Sequence, residues 1–185
     1  MKGQAGALYK SFDTLPEAQQ AFASSPSDYI RRGPHASHER LRRPTDAPLP
    51  AEVIPNSVAV DAACSGNPGQ MEYRGVHVGS GQQLFHYGPL YGTNNIGEFL
   101  AIVHGLALLK QKGLEMPLYS DSRNAISWVK QKKCKTKLPR TSESEPLFLL
   151  IERAEKWLHE NSYPTPILKW ETEQWGEIPA DFGRK

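Results

Sequence analysis

The pattern of apolar and polar positions changes character near residue 57. From Ser57 onward, short extended runs give way to longer helical periods. In "SVAVDAA" a β-rich run ends in a carboxylate, "MEYRGVHV" alternates apolar and polar positions, and "QQLFHYGPL" is a third extended run. Bounded by Gly, Pro and Asn, these three predict an antiparallel meander. The period then switches. In "IGEFLAIVHGLALLKQKG", Phe99, Ile102, Val103, Leu106 and Leu109 recur at helical spacing, and Gly113 supplies a stop. "MPLYSD" predicts a short buried strand and "SRNAISWVKQKK" an amphipathic helix. "SEPLFLLIERAEKWLHEN" predicts another helix starting near Glu143 or Ser144, and "TPILKWE" a last strand. The order βββαβααβ predicts an α/β fold, a mixed sheet with helices packed on it.

Before residue 57 no such pattern holds. Residues 25–56 carry Pro26, Pro34, Pro44, Pro48, Pro50 and Pro55, with Arg31, Arg32, Arg40, Arg42 and Arg43. Proline at this density excludes regular helix and central strand, so the stretch reads as an extended linker. Asp28, Glu39 and Asp46 partly offset the arginines, which favours a solubilising tether over a basic arm for a polyanion. Residues 1–24 predict a short strand and a helix capped by Asp13 or Thr14, with Pro16 in its first turn. Its apolar face (Leu15, Ala18, Phe22, Ala23) is too small to fold alone. The folded domain is therefore 57–185.

Composition narrows the class. The net charge is +2, so any basic surface must be local. Cys64 and Cys134 have neither metal-ligand spacing nor a disulfide framework and read as reduced thiols. No apolar run is long enough to cross a bilayer, and no signal-peptide core is present, so the expected location is the cytoplasm.

The chemistry lies in the acids. Asp61 ends a run of Val and Ala, Asp121 ends "PLYS", Glu98 sits in the first turns of the long helix, and Asp181 lies in the closing segment. A lone acid at a strand end is usually a cap or turn residue. Four that converged would repel one another unless a cation neutralised them. Oxygen ligands favour magnesium or manganese, and the sequence offers no His/Cys set for zinc. Four convergent carboxylates can hold two divalent ions about 4 Å apart, which suits in-line phosphoryl transfer. Spacing alone does not establish convergence.

The stretches "VDAACSGNPG", "TNNIGEFLAIVHGL", "YSDSRNAISWV" and "WGEIPADFGRK" resemble, in order, the four motif blocks of the type 1 ribonuclease H family. The resemblance covers about Val58 to Lys185 and is greatest to a compact bacterial subgroup. It implies a ribonuclease H-like fold, a five-stranded mixed sheet flanked by helices. It implies a monomeric endonuclease that cuts the RNA strand of an RNA–DNA hybrid with two Mg2+ (or Mn2+) ions, leaving 5′-phosphate and 3′-hydroxyl ends. By the same likeness Asp61, Glu98, Asp121 and Asp181 are metal ligands. Glu177, expected one helical turn before Asp181, assists the metal that serves the attacking water, or product release. Many relatives carry a catalytic histidine here, whereas "WETEQWGE" has none. His77 and His104 are expected to be structural.

Substrate residues follow from the same blocks. Asn67, Asn94 and Asn95 match minor-groove contacts, and Thr93, Asn95 and Thr136 match parts of a DNA-phosphate pocket. Arg123 replaces a frequent Gln, and Lys137 stands where a hydroxyl is usual. Local turn chemistry is the competing reading for these Asn and Thr residues. The run Lys130, Lys132, Lys133, Lys135, Lys137 is either a solvated face or a phosphate contact. "GALYKSFDTLPEAQQAF" resembles the second half of a small hybrid-binding domain, with Tyr9 and Lys10 at contact positions and Ser11 replacing a lysine. Residues 1–24 are thus expected to be a partial, degenerate copy. The alternatives are a non-catalytic hybrid-binding module and another member of the same fold superfamily, such as a DNA nuclease or a reverse-transcriptase-associated domain.

Overall fold

The computed structural model describes residues 48–183. The expected segment 1–24 and residues 25–47 of the linker lie outside the described residues. In chain order the elements are β1 (Val58–Gly66), β2 (Gly69–His77), β3 (Gln83–Gly92), α1 (Asn94–Lys112), β4 (Leu118–Ser120), α2 (Arg123–Lys130), α3 (Glu145–Glu160), β5 (Ile167–Lys169) and α4 (Thr172–Trp175). All but α4 were legible as elements in the sequence. The strands form one five-stranded sheet in the order β3-β2-β1-β4-β5. β1, β2 and β3 pair antiparallel, while β4 pairs parallel with both β1 and β5. The sheet is therefore mixed, as expected.

β1 is central and covered on both faces, which explains its unbroken apolar run from Val58 to Val60. Alternate residues feed two cores. Val58, Val60 and Ala62 face α1, α2 and α3 in the larger cluster, with Phe99, Ile102, Leu106, Val129 and Leu158. Ala59 faces a smaller cluster of Val53, Val76, Val78, Tyr119, Trp170, Ile178 and Ala180. The helices end as their sequences indicate. Gly113 adopts φ 61 and closes α1, and the Ser122 side chain accepts from Ala125 N at 3.2 Å to cap α2.

Packing reaches back into the stretch read as linker. Val53 is 3% exposed and packs in the smaller cluster, and Ile54 N donates to the Tyr119 hydroxyl at 3.2 Å. Proline bars helix and ladder, but it does not stop a neighbouring apolar side chain from being buried. Among the described residues, no helix is long and apolar enough to cross a membrane.

α1 approaches β1 closely because Gly97 has no side chain. A Cβ there would stand 2.7 Å from both Ala62 Cβ and Met71 Sδ. The first of these belongs to the central strand and cannot swing away. Gly97→Ala should therefore force α1 off the sheet and lose about 1–3 kcal/mol. Urea unfolding of parent and variant measures this, and equal midpoints would show that the contact is slack.

Candidate active site

The parallel ladder between β1 and β4 ends at the pair Val60↔Ser120. The next residue on each chain is an aspartate. Asp61 and Asp121 thus lie side by side where the parallel pairing of β1 with β4 stops, the edge at which open α/β sheets place their sites. The sequence suggested that Asp61 closes β1. The strand instead runs on to Gly66, paired only with β2, so Asp61 lies where the parallel pairing stops. Asp61 is fully buried and Asp121 half-buried.

Glu98 comes from α1, one residue after the glycine that seats this helix. Its carboxylate is 3% exposed. One oxygen each from Asp61, Glu98 and Asp121 lie within 4.8 Å of one another. Asn94 Nδ2 donates to Glu98 Oε1 at 3.2 Å, across one turn of α1. Asn94 thus helps to orient Glu98, a contact that the i,i+4 spacing in "NNIGE" could have signalled.

Three carboxylates this close, two of them buried, are mutually repulsive in the absence of positive charge. The donor set is all oxygen, with neither His nor Cys in the group. It fits a hard divalent cation of the magnesium or manganese type.

Asp181 is outside this 4.8 Å group. It sits in an irregular segment after β5 and accepts a hydrogen bond from Gly183 N at Oδ2, 2.7 Å. The segment is held by its apolar residues: Trp170, Ile178 and Ala180 are each 2% exposed or less. The expected helical turn between Glu177 and Asp181 is not formed. α4 stops at Trp175, Gly176 adopts φ 75, and Pro179 has no N–H to continue a helix. Asp181 N instead donates to Ile178 O at 2.8 Å, so a turn separates the two acids. Both are half-buried.

The RNase H family model matches residues 55–163, which takes in β1 through α3 and with them Asp61, Glu98 and Asp121. The chain belongs to the RNase H family. The match ends before β5, so Glu177 and Asp181 fall outside it. Similar solved structures include LC11-RNase H1, isolated from compost by a metagenomic approach, at 20% identity over 64% of this chain and 87% of that one, TM-score 0.43. The N-terminal RNase H domain of rv2228c from Mycobacterium tuberculosis is 18% identical over 64% of this chain and 89% of that one, TM-score 0.42. RNase H1 from the halophilic archaeon Halobacterium salinarum NRC-1 is 21% identical over 64% and 86%, TM-score 0.39.

The other residues suggested by the RNase H resemblance lie on turns, at helix starts and on exposed faces. Asn67 is exposed in the β1–β2 turn, between Gly66 at φ 96 and Gly69. Thr93 is the N-cap residue of α1, yet its side chain makes no cap hydrogen bond. Asn95 is exposed in the first turn. Arg123 opens α2 two residues after Asp121, and both line a groove with Asn124, Lys169 and Glu171. Thr136 Oγ1 accepts from Leu138 N at 3.0 Å, which is turn chemistry. Lys133 pairs with Glu155 at 2.8 Å, whereas Lys130, Lys135 and Lys137 are exposed. His104 stacks on Phe85 with ring centroids 4.1 Å apart, and burial lowers its pKa. His77 Nδ1 bonds the Ser80 hydroxyl at 2.9 Å. Neither histidine belongs to the acidic group.

Proposed function

We propose that this RNase H is an endonuclease that hydrolyses the RNA strand of RNA–DNA hybrids by two-metal-ion catalysis with Mg2+ or Mn2+. The reading rests on one observation: ligand oxygens of Asp61, Glu98 and Asp121 lie within 4.8 Å of one another where the parallel β1–β4 pairing ends. Divalent cations, when bound, would supply Lewis acidity toward the scissile phosphate; the expected products carry 5′-phosphate and 3′-hydroxyl ends. The three acids hold the cations, Asp181 completes the set, and Glu177 assists turnover from the turn before it. Asn94 keeps Glu98 in place while hybrid binds.

Exposed Asn67 and Asn95 can meet the minor groove, where 2′-hydroxyls distinguish RNA from DNA. Thr93, Arg123 and Thr136 contribute to the same substrate path in this reading. The motif block "WGEIPADFG" is in keeping with the compact bacterial subgroup, and "GALYKSFD" with a residual hybrid-binding segment. The enzyme acts as a monomer.

The test is cleavage of end-labelled duplexes in Mg2+. The RNA strand of a hybrid should be cut to products that a polymerase extends, while double-stranded DNA and double-stranded RNA stay intact. A hybrid with 2′-deoxy residues across the scissile bond should resist. Equal cutting of the all-DNA duplex would make the protein a DNA nuclease.

A further inference from the structure

Asp181 lies outside every helix and strand, so no ladder holds its backbone beside the buried acids. A side chain of β2 adds to the apolar hold of Trp170, Ile178 and Ala180. Arg74 lies on β2 directly opposite Asp61 in the antiparallel register. Opposed residues project to the same face of a sheet, so Arg74 rises beside Asp61. Its Nε donates to Ala180 O at 2.8 Å and its Nη2 to Asp181 O at 2.6 Å. Its guanidinium carbon also stands 4.6 Å from the centroid of the Phe182 ring. Three consecutive residues are gripped by one planar fork.

We propose that Arg74 is a positioning residue that latches the Asp181 segment beside Asp61 and so brings the fourth acid to the metal site. The inference rests on the reading of Asp181 as a metal ligand. Guanidinium geometry makes the latch specific. Two N–H groups in a fixed fork reach two successive carbonyls, while the flat cation covers an aromatic face. A lysine offers one flexible ammonium in place of that fork. The neighbours on this side reinforce the arrangement. His86 pairs with Arg74 across β2–β3, bonds Glu72 at 2.7 Å, and lies 6.0 Å from the Phe182 ring. In "MEYRGVHV" the arginine occupies a polar position of the alternation and looks solvent-directed. The fold instead turns that face toward the closing segment.

The experiment uses the full chain and three variants, Arg74→Lys, Arg74→Ala and Asp181→Asn, with Arg74→Ala/Asp181→Asn as the double variant. Mn2+ binding to hybrid-free protein is measured by isothermal titration, well below the melting temperature of the weakest variant. Steady-state cleavage at subsaturating metal separates kcat from KM. Both Arg74 variants should bind Mn2+ about tenfold more weakly, the scale of losing an outer partner of a metal ligand. Their kcat should fall comparably, with KM for hybrid within about twofold. The double variant should bind no more weakly than Asp181→Asn, because both changes remove one contribution. Parental Mn2+ affinity in both Arg74 variants, with only a lower melting temperature, would reduce Arg74 to a structural tie and overturn the proposal. So would additive losses in the double variant. If Arg74→Ala does not fold, Arg74→Lys decides. Parental Mn2+ binding by Asp181→Asn would instead remove Asp181 from the site, a separate failure.

Discussion

Asp61→Asn should abolish cleavage and, in metal-free buffer, raise the melting temperature. The two effects have one cause. Asp61 is fully buried, with ligand oxygens of Glu98 and Asp121 within 4.8 Å. Two unit charges at that separation repel by about 3 kcal/mol at an effective dielectric of about 20. Asparagine keeps the shape and removes one charge, so the metal-free fold is relieved of part of that repulsion. The same charge is what holds the cation. Its Lewis acidity is worth several kcal/mol at the transition state. At about 1.4 kcal/mol per decade, losing most of it lowers the rate about a thousandfold. Thermal unfolding in EDTA and in Mg2+ separates the two states. The parent should gain stability on adding Mg2+, and the variant should gain little. Asp121→Asn should be as inactive but gain less in EDTA, since Asp121 is only half-buried. A variant within tenfold of parental cleavage, or one destabilised in EDTA, would remove the acidic group from the chemistry.

This pairing of instability with function also explains what the sequence could and could not convey. Strands and long helices announce themselves locally through period, caps and stops, and β1 to β5 and α1 to α3 fall where those signals put them. The three clustered acids were each visible as an acid in an apolar context. That they meet depends on a parallel register between β1 and β4, some sixty residues apart in sequence, which no local pattern encodes. The resemblance to four motif blocks supplied it instead. The misreadings share a physical origin. Val53 is buried among prolines. Asp61 lies within a strand whose partner stops short. In each case the outcome is decided by what packs on the second face of the sheet. The Glu177–Asp181 spacing suggested a helical turn because helical spacing ignores Gly176, just before Glu177, and Pro179, between the two acids.

That second face leads to the largest expected loss of stability, from Trp170→Ala. Trp170 is 0% exposed and is among the largest fully buried side chains. It meets Tyr119 edge-on at 5.6 Å and Trp175 at 5.2 Å between centroids, and its Nε1 donates to Gly176 O at 2.8 Å. Its own N–H donates to Ser120 O at 2.9 Å, one residue from Asp121. The ring therefore ties the closing segment to β4 and fills the smaller core. Truncating a buried Trp to Ala costs about 3–5 kcal/mol. Trp170→Phe keeps a ring against Tyr119 but leaves the Gly176 carbonyl without this donor, a loss of about 1–3 kcal/mol. Urea unfolding should rank parent above Phe above Ala. Hydrogen exchange over 170–183 should quicken in the same order, because the segment carrying Asp181 loses its anchor while β1 to β3 keep theirs. Cleavage should track the exchange of this segment rather than global stability. If Trp170→Ala lost under 1 kcal/mol, or if exchange quickened equally across the sheet, the smaller core would not be what seats the last acid.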